Sequence, residues 1–513
     1  MVLLNCLNLQ FEQLRTMKLL KLTIFLLFIS FFNNSYSQEL VLPGDHPDPS
    51  VVKIGEDYWA AGTTSNWMPA FPIYHSKDLK KWTQKSAVFK VLPQWADFYM
   101  WAPEISYDKG KVYVYYTAHK KDGNLCIGAA VADKPDGIYT DLGPLMCQPA
   151  GSIDAFPMRD NNGKLYMIWK EDGNSVQKPT PIWAMEMKED RTGLIGKKTE
   201  LFRGDQPWEN GLVEGVSIVK NGEYFYAIYA AAGCCGIKCN YGTGIARSKN
   251  LLGPWEKYAN NPVLASTDNW TCPGHGTPVK KDGKNYFLYH GYSAEESVYA
   301  GRQGLLIEFE FTTDGWIKFK QNNKKYTVKR VVKSDDFSGK SLSLYWQWSI
   351  FKDIKLNLGK KSLEISALPD VSGAYIGQSV NHSDYTAEAV IIKATAEAGI
   401  AIIGDDKQII FASVNDGKVL LKQVKNGEIS ILKTISLPSI KATGKFPVKL
   451  KLHAQQNHLF TFYYAIGNES FVKINAEPVD GSFLPPWDRA LRVGLTVLGT
   501  PDHSATFSSF SLK

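Results

Sequence analysis

Apolar positions along this chain fall in short runs that alternate with polar ones, and helical spacing is almost absent. Runs such as Val112 to Thr117 and Tyr166 to Trp169 are β-branched or aromatic, as strands on a pleated, half-buried surface should be. Several follow one recurring unit, a Gly with an aromatic residue three positions later: Gly55 and Tyr58, Gly110 and Tyr113, Gly163 and Tyr166, Gly222 and Phe225, Gly283 and Tyr286. The glycines are 55, 53, 59 and 61 residues apart. Each Gly supplies the positive φ of a tight hairpin turn, so each unit reads as a β-meander. Repeats of this period signal a propeller, whose blades are four-stranded sheets around a central channel. The spacing predicts an all-β chain that opens with a five-bladed β-propeller over residues 41–330. Beyond a Lys-rich stretch, Lys318 to Lys333, the pattern changes to short alternating strands, including Thr386 to Ile392, Gln408 to Ser413, Val448 to His453 and Thr506 to Leu512. An antiparallel β-sandwich over residues 335–513 is the simplest reading of this second domain.

The N-terminus breaks the pattern. Met17-Lys18-Leu19-Leu20-Lys21 precedes the apolar run Leu22 to Phe32, and small or polar residues follow to Gln38. This is the order of a secretory signal peptide, expected over residues 1–37 with cleavage near Ser37. Residues 1–16 sit awkwardly ahead of it, which favours Met17 as the start. The apolar run is short of the roughly 20 residues a membrane helix needs, and no later segment reaches that length. A secreted or periplasmic protein, with no stable membrane insertion, is expected.

A length of 513 residues fits two cores better than one. The formal charge of +7 is mild and its Lys residues are scattered, which argues against a nucleic-acid partner. Once the leader is removed, six Cys remain: Cys126, Cys147, Cys234, Cys235, Cys239 and Cys272. In an oxidising compartment these serve as disulfides whose pairing sequence alone leaves open, with zinc as the alternative for the Cys234, Cys235, Cys239 cluster.

Candidate chemistry follows from the repeat. Six to nine residues before each repeat Gly stand Asp48, Glu104, Asp154, Glu214 and His275, one ionisable residue per unit. The innermost strand of every blade lines the channel, so equivalent positions converge there although they are far apart in sequence. Their surroundings, His46-Pro-Asp48-Pro-Ser50, Trp101-Ala-Pro-Glu104, Gly151-Ser-Ile-Asp154, Val213-Glu214-Gly215 and Pro273-Gly-His275-Gly276, are small, stiff or apolar. The competing reading makes some of them ordinary turn residues.

With these landmarks, Ile73 to Leu79 with Trp82, and Arg302 ahead of Gly315-Trp316, the propeller portion resembles glycoside hydrolase family 43, the β-xylosidases, α-L-arabinofuranosidases and arabinanases. The C-terminal part resembles the concanavalin A-like sandwich appended to many xylosidases of that family, through Asp335 to Gly339 and Trp346-Gln347-Trp348. The resemblance implies an inverting hydrolase acting on oligosaccharides or polysaccharides, with Asp48 as general base, Glu214 as general acid and Asp154 tuning and orienting the acid. An inverting site needs one carboxyl to protonate the leaving oxygen and another to activate water on the opposite sugar face. Glu214 must hold a proton near neutral pH, which a carboxylate at Asp154 would favour, whereas Asp48 must stay ionised. The resemblance also makes Arg302 a substrate-binding residue; Trp101, as a platform for a sugar ring, and Glu104, from the repeat register, are further substrate-binding candidates. The resemblance gives His275 a place beside a structural calcium, held through water, with no organic cofactor. Family members commonly carry Pro after the acid's Glu-Gly; Val216 stands here. A retaining invertase-type propeller lacks its own motifs in this chain. A carbohydrate-binding propeller without catalysis, and a member acting on galactose-type sugars, remain as alternatives to release of xylose or arabinofuranose.

Overall fold

The computed structural model describes residues 38–321, 331–437, 447–456 and 458–513; the expected signal peptide, residues 1–37, lies outside the described residues. The five repeat glycines occupy the turn between the first and second strands of five consecutive sheets, with φ of +61° at Gly55, +81° at Gly110, +80° at Gly163, +57° at Gly222 and +75° at Gly283. Only Gly enters this region without steric cost, which is why the repeat keeps it there. The first sheet holds Ser50–Ile54, Asp57–Ala61, Ala70–Ser76 and Thr83–Phe89, and the second Ala96–Asp108, Lys111–Lys120, Leu125–Ala132 and Thr140–Cys147. The third holds Ser152–Arg159, Leu165–Glu171, Pro181–Met187 and Leu194–Arg203, and the fourth Val213–Asn221, Tyr224–Ala231, Gly242–Ser248 and Glu256–Lys257. The fifth contains Trp270–Lys281, Lys284–Ser293 and Arg302–Phe311, and its edge is completed by Glu39–Leu42 from the beginning of the described chain. The first strands of the five sheets neighbour one another in cyclic order, the fifth returning to the first, so they enclose a channel.

The apolar faces of adjacent blades pack on each other rather than on a single centre. Phe71, Phe89 and Tyr116 fill the space between the first and second blades, Tyr115, Met167 and Trp169 that between the second and third, and Phe202, Ile218 and Phe225 that between the third and fourth. Tyr226, Phe287 and Leu305 lie between the fourth and fifth, and Val51, Tyr58 and Leu288 between the fifth and first. The two later echoes of the repeat have a common structural basis. Trp82 donates its indole N–H to the Leu79 carbonyl at 2.9 Å, and Trp255 to that of Leu251 at 3.0 Å, closing equivalent turns.

The C-terminal part is the expected antiparallel sandwich. One sheet contains Ser362–Ser366, Ser504–Leu512, Tyr385–Ala394, Val448–Gln455 and Leu459–Ile466; the other runs Ala374–Ser379, Arg492–Leu498, Glu397–Asp405, Gln408–Asn415, Lys418–Lys425 and Glu428–Ser436. Its core interleaves Ala389, Leu450, Phe462 and Phe507 with Ile376, Ile400, Ile410 and Leu495. Lys333–Asp335 pairs with the last strand, so the sandwich begins slightly before residue 335. Trp346, 1% exposed, donates to the Asp335 carboxylate at 2.9 Å and so joins the two motifs that marked this domain. The domains share a packed seam: Trp67 lies against Tyr375, Ala401, Ile403 and Phe411, Trp67–Met68 pairs with Trp348–Ser349, and Arg492 meets Asp45 at 3.1 Å.

All six described cysteines are in disulfides, Cys126 with Cys147, Cys234 with Cys235, and Cys239 with Cys272. This takes the Cys234, Cys235, Cys239 cluster away from the zinc alternative.

Candidate active site

Asp48, Asp154, Glu214, His275, Arg302 and Trp101 all line one cavity of about 540 Å³ at the channel. The repeat register therefore brings together what it was expected to bring together, with Glu104 as the exception. The backbone explains how. Asp48, Asp154 and His275 have φ of +48°, +58° and +36°, and Gly215, next to Glu214, has +58°. The ladders shift register between Ile153 and Phe156, Glu214 and Ser217, and Gly274 and Gly276. These are bulges, which bend a strand and re-aim a side chain. Asp and His bear the left-handed region better than most residues, and strain of this kind persists only where the surroundings hold it.

Asp48 is held from several sides. Its backbone N–H donates to His290 Nδ1 at 3.0 Å, the Thr63 hydroxyl donates to its Oδ2 at 2.7 Å, and Arg302 reaches its Oδ1 at 3.1 Å. Burial alone would raise its carboxyl, but the Arg302 charge, with His275 and the Thr63 hydrogen bond, overcomes this and holds it at about 2. Because His290 Nδ1 accepts a hydrogen bond, its proton lies on Nε2; burial and Arg302 keep the ring neutral. The site thus fixes Asp48 as an anion, the condition a base must meet.

Asp154 and Glu214 form the opposite arrangement. Asp154 Oδ2 accepts the Gly215 N–H at 2.9 Å, which ties the two carboxyl-bearing strands together. Burial pushes the Asp154 carboxyl up to about 6, helped by Glu214 and opposed by His275. Glu214 Oε2 receives Lys170 Nζ at 2.5 Å and its Oε1 the Tyr241 hydroxyl at 2.8 Å. Lys170 is 1% exposed and also meets Asp172 at 3.0 Å. Lys170 is thus a buried cation shared by the Glu214 and Asp172 carboxyls. Val216, where the family pattern has Pro, is buried among the apolar residues between the third and fourth blades.

Trp101 stacks on Tyr99, ring centres 4.2 Å apart, and its indole donates to Ser65 at 3.1 Å and to Asp488 at 3.3 Å. Asp488 and Trp487 come from the sandwich, line the same cavity, and were not read from the sequence. Asp488 also accepts from the Ser65 hydroxyl and from Arg489, and its carbonyl receives Arg302 at 2.8 Å. Lys170 and Tyr241 were missed as well. The available signals were slight: a Lys inside the apolar strand Leu165–Glu171, and the stiff Pro485-Pro486 pair ahead of Trp487.

Glu104 corrects the expectation of a substrate contact. It is buried, is not among the residues lining the cavity, and accepts the Thr277 hydroxyl at 3.0 Å. Its strand is bulged between Trp101 and Glu104, which turns Trp101, not Glu104, to the cavity. Burial pushes its carboxyl up to about 8. Such an acid stays protonated in the folded state while the unfolded chain ionises, so its contribution to stability is lost as pH rises from about 4.5 to about 8. Glu104→Gln keeps a partner for Thr277 and removes the ionisation. Its melting temperature is expected to exceed the wild type's at pH 7, by an amount equivalent to about 3 kcal/mol at most, and to be flatter with pH across that window. Parallel melting curves for the two proteins would contradict the assignment.

His275 Nδ1 lies 3.7 Å from Asp48 and 3.9 Å from Asp154. Among the described residues no three His, Cys, Asp or Glu side chains are grouped to hold a metal.

Comparison with known proteins agrees with this architecture. Residues 37–317 match the model for glycosyl hydrolases family 43, and residues 334–489 that for the β-xylosidase C-terminal concanavalin A-like domain. A β-xylosidase of Bacillus subtilis is 32% identical over 258 residues, 47% of this chain and 45% of that protein. A non-reducing end α-L-arabinofuranosidase of Bacteroides ovatus is 26% identical over 418 residues, 72% of this chain and 73% of that protein. The chain spans about half the length of the first curated relatives it matches. The crystal structure of a xylan β-1,4-xylosidase from Bacillus halodurans superposes with a TM-score of 0.79, covering 93% of this chain and all of that one, at 21% identity, which speaks to the fold. With one model spanning the propeller and a second the sandwich, the chain belongs to family 43 of the glycosyl hydrolases.

Proposed function

We propose that this chain is an inverting glycoside hydrolase that releases single pentose units, xylose or arabinofuranose, from plant-type oligosaccharides or polysaccharides. The observation that carries the reading is the contrast between carboxyls across one cavity: Asp48 held at about 2 by Arg302, His275 and Thr63 against its burial, and Asp154 pushed up to about 6 by burial beside Glu214. In this reading Asp48 draws a proton from water on one face of the sugar while Glu214 gives one to the leaving oxygen on the other. Asp154 fixes Glu214 through the Gly215 N–H, and Lys170 with Tyr241 receives the charge that develops on Glu214. Arg302, anchored by Asp48 and the Asp488 carbonyl, has further N–H groups for a sugar hydroxyl.

Trp487 and Asp488 narrow the cavity from the sandwich side, which favours attack at a chain end. The names of the relatives, β-xylosidase and α-L-arabinofuranosidase, point to the same pair of sugars. A calcium ion enters the proposal only as one held by His275 through water, and no step is routed through it. Among the described residues no helix is long and apolar enough to cross a membrane. The disulfides support an exported protein, secreted or periplasmic.

The test is hydrolysis of aryl β-xyloside, aryl α-L-arabinofuranoside, aryl galactoside and linear arabinan, with NMR on the first product. Activity on one of the two pentosides, with the product anomer inverted, is expected. Retention would overturn the inverting assignment, cleavage of the galactoside alone the pentose assignment, and sugar binding without release would favour a binding propeller.

A further inference from the structure

The feature that the chemistry above leaves unused is the bond between neighbouring residues Cys234 and Cys235. Both line the cavity that holds Asp48, Asp154 and Glu214, as does Gly233 before them. They sit in the loop between Tyr224–Ala231 and Gly242–Ser248 of the fourth blade, the blade that carries Glu214. A disulfide between adjacent residues closes a small ring through the peptide that joins them, which removes the torsional freedom of both side chains. The rest of the loop is fastened separately. The Gly233 N–H donates to Asn240 Oδ1 at 2.8 Å, Asn240 returns its N–H to the Gly233 carbonyl at 3.0 Å, and Cys239 is bonded to Cys272. The Gly236 N–H reaches the Tyr292 hydroxyl at 3.3 Å, and a Cβ on Gly236 would come 3.7 Å from the Trp487 carbonyl. The Cys239–Cys272 bridge already anchors this loop to the fifth blade, so the second, vicinal bond adds little further anchoring. What it adds is a fixed pair of polarisable sulfurs, with no N–H or O–H to donate, on the fourth-blade wall of the cavity.

A sugar ring has hydroxyls at its edge and C–H groups on its faces. The charged residues around this cavity can read the edge; a face requires a rigid apolar surface. Trp101 lines the cavity from the second blade, stacked on Tyr99 and bonded to Asp488 of the sandwich, away from the fourth blade that carries the disulfide. Cys234 and Cys235 are half-buried, whereas Asp48, Asp154 and Glu214 are buried, so the disulfide lies nearer the mouth than the carboxylates do. In a cavity that takes a chain end, the unit nearer the mouth is the one that leaves, and Glu214 of the same blade protonates the oxygen joining it. We infer that the Cys234–Cys235 disulfide is a specificity-determining plate that receives the C–H face of the sugar on the leaving-group side. The inference rests on the hydrolase reading above.

The experiment compares wild type, C234A/C235A and C239A/C272A, each with a xylo- or arabino-disaccharide and with the matching aryl glycoside, whose leaving group is no sugar. For C234A/C235A the KM for the disaccharide is expected to rise about fivefold, the size of a lost apolar contact, with kcat and the aryl-glycoside KM within about twofold of wild type. C239A/C272A, which frees the loop, is expected to lower the melting temperature and to disturb both substrates. An unchanged disaccharide KM, or an equal rise for both substrates with a fall in melting temperature, overturns the plate. If C234A/C235A does not fold, C234S/C235S is read by the same criteria. If wild type cleaves none of the substrates, the hydrolase reading fails by itself, and the plate is decided by titrating Trp fluorescence with the disaccharide: weaker binding by the variant supports it, equal binding or none overturns it.

Discussion

Asp48→Asn and Glu214→Gln are each expected to lower kcat/KM on an oligosaccharide by about 10³-fold or more while leaving the protein folded. The two losses have different signatures. An amide at position 48 can neither accept the water proton nor balance Arg302, which stands 3.1 Å from the carboxylate, so its deficit persists for every substrate. In the proposed mechanism Glu214 matters only in so far as the leaving oxygen needs a proton. Aryl glycosides with strongly acidic phenols leave unaided, and for them the Glu214→Gln deficit is expected to shrink by about tenfold or more. Steady-state kinetics across a series of phenols checks both. Equal deficits for good and poor leaving groups in Glu214→Gln would remove it from the acid role, and recovery of Asp48→Asn with good leaving groups would exchange the two assignments. Asp154→Asn keeps an acceptor for the Gly215 N–H, so its loss should be smaller than either.

The second large effect concerns Lys170. Lys170→Met leaves the Asp172 carboxylate, and the Glu214 carboxyl whenever it is ionised, buried without the cation now 3.0 and 2.5 Å from them. Removing one partner of such a cluster costs about 3 to 5 kcal/mol because the remaining charges stay desolvated. A carboxylate can escape this cost by taking up a proton. The fall in melting temperature is therefore expected to be large at pH 7 and to diminish toward pH 4, and Lys170→Met/Asp172→Asn should recover part of it. A deficit independent of pH would mean that packing of the Lys170 stem, and not its charge, is what the third blade requires.

How much of this was legible beforehand depended on where each residue lies relative to the repeat. Asp48, Asp154, Glu214 and His275 precede a turn Gly at a nearly constant separation on the channel strand, so a one-dimensional register sufficed to gather them. The same register placed Glu104 correctly in the channel wall, but the bulge after Trp101 decides which side chain meets the cavity, and bulges leave no dependable mark in sequence. Lys170 lies on the second strand of its blade beyond Tyr166, the last position the repeat specifies, and Tyr241 closes a loop of individual length. Asp488 meets Ser65 across 423 positions and across a domain boundary, a contact that no local pattern encodes. The sandwich was legible as strands, not as a participant in the site.

The strand Glu39–Leu42, paired with Arg302–Phe311 on the rim of the last blade, has a kinetic meaning as well. It joins segments more than 260 residues apart, and such closures come late in folding because the entropy of a long loop must be overcome before its contacts form. Asp48 follows this strand directly, and Arg302 and His290 belong to the blade that it seals. The carboxylate therefore acquires its guanidinium and imidazole neighbours only when the two ends of the ring meet. Individual blades can recover their hairpins earlier, but competence for proton transfer must be the last property to return when the unfolded chain is renatured.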